Sequence, residues 1–343
     1  MLGNFTKGHA SILVLLMVFG MLLAGCGADA TPTTAPAPTA TKAAATATTA
    51  APAATATKAA PAATATTAMA VTPTEAMAGE TPTTGASNVE PTPVSSWKPG
   101  AHAGTITAPS KLVSAGTLTI GSDVSYPPQE YMDASSNPVG FDIDVATEIA
   151  SRLGLQPKVV NFNFNDIIPA LNAGQFDIII SAMNITPERS NAVDFVQYYA
   201  AGQSVLVPKG NPKNIKTLDD LSGLTVAVQQ GTTEQDSLTA ENTKLSGAGK
   251  TAINVLVYGT DTDAVDQLRV GRADAAMDDD PVAAYYVALN PNFEVAIAAY
   301  NPQDEGIAIS KTNADMKTAI TSAITAMKSD GTIDAIKAKW QLK

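Results

Sequence analysis

The chain has 343 residues, a formal net charge of −11 and an apolar share of 45%, enough to build a sizeable core. One cysteine excludes an intramolecular disulfide, and with only two histidines beside it zinc lacks its usual ligand set. The acid excess argues against nucleic acid or an anionic lipid surface as a partner.

In chain order, residues 1–26 carry a positive charge at Lys7, an apolar run over residues 12–23 broken only by Gly20, and then Leu23-Ala24-Gly25-Cys26. That order reads as a secretory signal peptide, and the run is short of the ~20 apolar residues of a spanning helix. The tetrapeptide resembles the lipobox of bacterial lipoproteins, in which a peptidase cuts before a cysteine that takes up diacylglycerol and palmitate. The resemblance implies that Cys26 is the lipidation site and that the mature protein is extracytoplasmic and lipid-anchored to the cell membrane. A chance cysteine after an ordinary cleaved signal, or an uncleaved signal anchor, is the alternative.

Residues 27–110 are mostly Ala, Thr and Pro, with an imperfect nine-residue repeat in residues 50–58 and 59–67. Such a composition buries too little to offset the entropy of ordering, and recurrent Pro opposes helix, so this stretch is expected to be a disordered tether. About 80 residues would hold a fold some 50 Å or more from the lipid. The stretch contains four acids (Asp29, Glu75, Glu80, Glu90) and three lysines (Lys42, Lys58, Lys98), so the net charge of −11 resides in residues 111–343. Every tyrosine lies there too.

From Lys111 on, short β-branched runs alternate with amphipathic stretches. Residues 118–120, 158–160, 178–181, 204–207, 225–228, 255–258 and 273–277 read as strands. Phe141, Val145, Ile149 and Leu153 share one helical face, and helices are expected from Phe164, Thr233, Thr260 and Pro281. Met316, Ile320, Ala323, Ile324 and Met327 form one apolar stripe; after Gly331, Ile333, Ile336 and Trp340 form another, so the chain closes on two helices. Strand and helix alternating in this way predict an α/β fold with mostly parallel sheets.

Six segments, in order, carry a family resemblance: Gly121-Ser122-Asp123 with Tyr126-Pro127-Pro128; Gly140-Phe141-Asp142-Ile143-Asp144; Ile167-Ile168-Pro169-Ala170-Leu171; Ile185-Thr186-Pro187-Glu188-Arg189; residues 228–233; and Asp279-Asp280-Pro281. Together they resemble the polar amino acid family of solute-binding proteins that feed ABC importers, the type II periplasmic binding proteins. The resemblance implies two α/β lobes joined by two crossing strands, with the ligand cleft between the lobes. Residues 111–200 and 305–343 would form lobe 1 and residues 201–304 lobe 2. The lobes would close on the solute by hinge motion, and a permease would read the closed, monomeric form.

A zwitterionic amino acid loses water from a carboxylate and an ammonium when such a cleft closes, so each must meet an opposite charge. Arg189 is the expected carboxylate clamp, because its planar fork holds two oxygens at once; the structural alternative is an ion pair with Glu188 or Asp194. Thr233, after Gly231-Thr232, opens a helix whose N-terminal amides suit a second carboxylate contact, or simply supplies a cap. Asp279 matches the family acid that accepts the ammonium; alternatively it is an N-cap ahead of Pro281. Tyr126 and Phe164 match the positions facing the ligand side chain, with Asp123 on the same wall. Ser181, Ala182 and Asn184 form the expected floor, where Ala182 and Asn184 depart from the family pattern, as does Gln129 after the proline pair. Asp123, Glu234, Gln229 and Asn184 would give a wall of acidic character, favouring a basic or neutral polar amino acid.

Two other functions fit the same fold: a cleft enzyme of the prephenate or arogenate dehydratase kind, and a ligand-sensing ectodomain. No catalytic residue, cofactor or metal is expected, since His9 falls in the signal and His102 at the end of the tether.

Overall fold

The computed structural model describes residues 97–342. The expected signal peptide, the lipidation site Cys26 and the tether as far as residue 96 lie outside the described residues.

An eight-stranded mixed sheet organises the fold. The first lobe is led by β1 (Thr117–Ser122), flanked in parallel by β5 (Gln156–Asn161) and β6 (Ile178–Ile179). Between β1 and β5 come a small antiparallel sheet, β2 (Ser125–Tyr126), β3 (Glu130–Met132) and β4 (Pro138–Val139), and the helix α1 (Phe141–Arg152). A single 3₁₀ turn at Phe164–Asp166 leads into α2 (Ile167–Asn172). The short α3 (Pro187–Ala192) starts at an N-cap, Thr186, with Pro187 in the first turn.

Two long strands, β7 (Val193–Pro208) and β11 (Phe293–Ser310), pair antiparallel along most of their length and run from one lobe into the other. The lobe boundaries expected at residues 200 and 305 fall inside them. Their register shifts at four places, and Ala299 and Asn301 sit at φ of 39° and 50° within β11, so the connection is irregular where the lobes meet.

The second lobe continues the sheet with β8 (Thr225–Gln229), β9 (Asn254–Tyr258) and β10 (Ala275–Asp279), giving the order β5-β1-β6-β11-β7-β10-β8-β9. Its helices are α4 (Thr233–Gly247), α5 (Asp261–Arg269) and α6 (Asp280–Leu289). The chain then returns to the first lobe for α7 (Ala314–Ser329) and α8 (Thr332–Lys339). Each lobe has its own core. Leu118, Phe141, Ile149, Ile320 and Met327 are buried together in the first, and Val205, Val226, Val228, Leu238 and Met277 in the second. No helix among the described residues is long and apolar enough to cross a membrane.

Composition assigns residues 97–110 to the tether, yet they pack on the first lobe. Trp97, Ile106 and Ala108 lie against its core, and the amides of Gly104 and Ile106 donate to Ser151 O and Arg152 O, each at 2.9 Å. Arg152 is 1% exposed and bonds Glu148 at 2.8 Å, Asp330 at 2.8 Å, Thr332 at 2.8 Å and His102 at 2.9 Å. This tail of the segment brings what the preceding stretch lacks: large apolar side chains and a partner for a buried cation.

Candidate functional site

The lobes meet over a gap lined by two strand ends, a helix start and the floor after β6. From the first lobe Asp123, Tyr126, Phe164, Ser181, Ala182 and Asn184 line it; from the second, Gln229, Glu234 and Asp279. These are nine of the eleven expected site residues. The space is about 20 Å³, room for roughly one water, so the cleft is closed and a solute enters only when the lobes part.

Direct contacts hold the lobes together. Gln229 Nε2 donates to Asp123 Oδ2 at 2.7 Å. The Tyr126 hydroxyl donates to Asp279 Oδ2 at 3.1 Å and accepts from the Asp279 amide at 2.9 Å. Thr233 Oγ1 donates to Asn184 Oδ1 at 2.8 Å.

Arg189 and Thr233, the other two expected residues, stand behind the lining. Arg189 is positioned by the Thr186 cap, whose hydroxyl accepts its amide at 3.1 Å. Its Cζ sits 5.2 Å over the Phe164 ring, an attractive cation–aromatic distance, while Nη1 donates to Asn184 O at 2.8 Å and Nη2 donates to Gly231 O at 3.0 Å. Both partners are neutral carbonyls. The alternative pairings are not made: Glu188 stands in the first turn of α3, and Asp194 is engaged by Lys311 and Lys317. The guanidinium fork is thus held in place without a carboxylate hydrogen bond among the described residues.

Gly231 takes φ of +77°, and a Cβ there would lie 2.9 Å from Asn165 Oδ1; the backbone approach requires glycine. It leads into α4, where the Thr232 side chain caps Gln235 N. Asp279 occupies the N-cap position of α6 but makes no cap hydrogen bond. Asp280 instead turns its carboxylate to the Gly202 amide at 2.7 Å. The capping alternative for Asp279 is therefore not realised, and its Oδ1 has no hydrogen-bond donor among the described residues.

Glu130 and Thr232 line the gap without having been expected there. Glu130 is 1% exposed; its Oε1 accepts from Ser181 Oγ at 2.8 Å and its Oε2 has no donor among the described residues. In sequence it is a lone acid in Gln129-Glu130-Tyr131-Met132, with nothing beside it to mark it as buried. Behind it, Asp142 accepts from Ala182 N at 2.7 Å and from the Tyr198 hydroxyl at 2.6 Å, fixing Ala182 at φ of 41°.

Four carboxyl groups thus face the gap: Asp123, Glu130, Glu234 and Asp279. Burial raises all four above the ordinary range. For Asp279 the charges of Glu234 and then Glu305 add to it; for Glu130 the charge of Asp142 does. Asp123 is raised despite hydrogen bonds from Ser125, Phe164 and Gln229, and Glu234 despite the Arg189 charge. One layer back, burial pushes Asp142 and Asp261 up to about 6. The site is poised to receive positive charge.

Two lobes hinged on crossing strands, closed over a polar gap with an arginine on one side and carboxyls on the other, define a solute-binding protein. The chain belongs to the bacterial extracellular solute-binding proteins, family 3, which it matches over residues 118–343. It is 32% identical to the L-cystine-binding protein TcyJ of Escherichia coli K12 over 233 residues, 67% of this chain and 84% of the relative. Among solved structures, an ancestral arginine-binding protein bound to arginine is 38% identical, covers 66% of this chain and 98% of its own, and superposes with a TM-score of 0.61. AncCDT-1, an ancestral amino acid-binding protein described as a precursor of cyclohexadienyl dehydratase, is 37% identical over 66% of this chain and 95% of its own, with a TM-score of 0.60.

Proposed function

We propose that this protein captures an amino acid, preferring a cationic side chain over a neutral polar one, and delivers it to an ABC importer. The observation that carries this reading is the charge of the gap: four buried carboxyls face it, and Arg189 is the one cation beside it among the described residues. An α-carboxylate takes N–H groups of the Arg189 fork that the backbone carbonyls leave free, and the amides at the start of α4. The ammonium goes to Asp279 and Glu234. Asp123, Glu130 and Gln229 then receive the side chain, with Tyr126 and Phe164 on its flanks and Ser181, Ala182 and Asn184 beneath. An anionic side chain would meet the acids Asp123 and Glu130 there, at a cost of several kcal/mol.

Relatives that bind arginine and cystine support the amino acid class. Arg189 and Asp279 are both taken up by the zwitterion; incubation with prephenate or arogenate should yield no aromatic product. Cys26 supplies the lipid anchor that keeps the receptor beside its permease, and the protein acts as a monomer.

Calorimetry of the unliganded protein against arginine, lysine, ornithine, histidine, glutamine, cystine and glutamate tests the reading. The cationic amino acids should bind tightest. Exclusive binding of glutamate or aspartate would overturn it.

A further inference from the structure

The two consecutive acids at the start of α6 serve two different cavities. Asp279 lines the solute gap; Asp280 lines a second groove of about 360 Å³ on the other side of the α6 start, a size within the roughly 300–1,000 Å³ of small-molecule pockets. Tyr199 of β7 lines it. Tyr285 and Leu289 of α6 form one wall, and Trp340 and Leu342 from the end of the chain form the other. The groove is therefore built by both lobes. Tyr131 bridges its rim, its ring centroid 5.9 Å from that of Tyr285 and 6.2 Å from that of Trp340.

Its chemistry is one-sided. Asp280 is the only charged residue among the described ones that line it. One Asp280 oxygen accepts from Gly202, leaving lone pairs on the other. The rings already attract cations on their outer rim: Lys337 Nζ lies 5.6 Å over Tyr199 and Lys339 Nζ 5.1 Å over Trp340. Neither lysine lines the groove, and Lys339 is held by Asp144 at 2.7 Å.

We propose that this groove is a second ligand site, for a small organic cation with an apolar body, such as an aryl-alkyl ammonium. The ammonium sits at Asp280 and the body lies between Tyr285 and Trp340, combining charge pairing, cation–aromatic attraction and apolar burial. Because the walls come from both lobes, an occupant holds the closed arrangement and raises solute affinity. Linkage requires that the solute raise the affinity of the groove ligand by the same factor.

Phenethylamine is the probe, titrated into the full mature chain by calorimetry, with phenylethanol as its neutral counterpart. Saturable binding of phenethylamine is expected, at least about tenfold tighter than phenylethanol and weakened about tenfold in Asp280→Asn. Ala288→Phe fills the groove at the end of α6 away from Asp279; it should abolish probe binding and, with it, any effect of the probe on arginine affinity. Saturating probe should tighten arginine binding several-fold. Equal binding of phenylethanol, binding that survives Ala288→Phe, or competition between probe and arginine would each overturn the proposal, as would no saturable binding.

Discussion

The Tyr126 hydroxyl and Asp279 exchange two hydrogen bonds across the cleft, the hydroxyl donating to Oδ2 at 3.1 Å and accepting from the amide at 2.9 Å. A tyrosine of the first lobe thus bonds both the amide and one carboxylate oxygen of the residue proposed to hold the ammonium. Phenylalanine at position 126 keeps the ring but strips both bonds. Tyr126→Phe should weaken solute binding by about 1.5–3 kcal/mol, the scale of a hydrogen bond to a charged group, or roughly tenfold or more. Calorimetry reads it directly, and an unchanged dissociation constant would detach this contact from binding.

Arg189 donates to two backbone carbonyls and to no carboxylate among the described residues. Arg189→Ala should abolish amino acid binding while costing the unliganded fold at most about 1 kcal/mol. Arg189→Lys should restore binding only in part, because a point charge cannot replace the fork. A thermal melt that collapses in Arg189→Ala would assign the residue a structural role instead.

Proton release should accompany capture. Asp123, Glu130, Glu234 and Asp279 are all raised by burial in the closed cleft, and a cationic solute favours their ionised forms. Binding therefore expels protons, and affinity should fall as the pH is lowered into the range where these groups are protonated. Calorimetry in buffers of different ionisation enthalpy counts the protons. Net uptake would contradict the assignment of these carboxyls to the solute's positive charge.

Glu305 is fully buried on β11, within 3.4 Å of the Tyr198 hydroxyl and 3.5 Å of Gln129 Nε2. Burial, and then the Asp142 charge, raise it well above its usual value. A raised carboxyl keeps its proton in the fold at pH values where the unfolded chain has lost it. Its contribution to stability is present below the unfolded value of about 4.3 and is lost as the pH climbs through the folded value. Glu305→Gln, a neutral mimic, should stabilise the protein at neutral pH by about 1 kcal/mol or more and flatten the alkaline side of its stability profile. Denaturant melts between about pH 5 and 8 would show this, and a variant less stable than the parent at the upper end of that range would refute it.

Removing Arg152 would leave Glu148, fully buried, without its cation. Arg152→Ala should cost about 3–5 kcal/mol and loosen residues 97–110 first, visible as faster amide exchange at Gly104 and Ile106. Intact protection of those two amides would mean that the segment is held by its apolar contacts alone.

The faces of α1, α7 and α8 were legible in the sequence because each buries one periodic stripe, and β1 and β8 because they are short, largely β-branched or apolar runs buried almost throughout. Beyond residues 204–207, β7 was less so: Asp194, Gln197 and Gly202 interrupt any alternation, and two-sided pairing supplies the order that pattern does not. Most of β11 was silent for a related reason, its register being broken by residues at positive φ. Glu130 was not legible as a site residue because a lone acid in a three-residue strand reads as exposed until the strand's surroundings are known. Asp279 could be read as a cap or a contact; only the diversion of Asp280 to Gly202 separates the two. The N-terminal extent of the fold was obscured because Ala, Thr and Pro recur past residue 97, and composition alone does not show that Trp97 and Ile106 have somewhere to pack.

That docking also decides where mechanical load enters. The chain joins the fold through residues 97–110 against α1 and the turn before α8, all in the first lobe, and the Arg152 cluster rivets it there. A pull arriving from the N-terminal side is borne by the first lobe alone. The crossing strands take none of it, and the second lobe is free to swing.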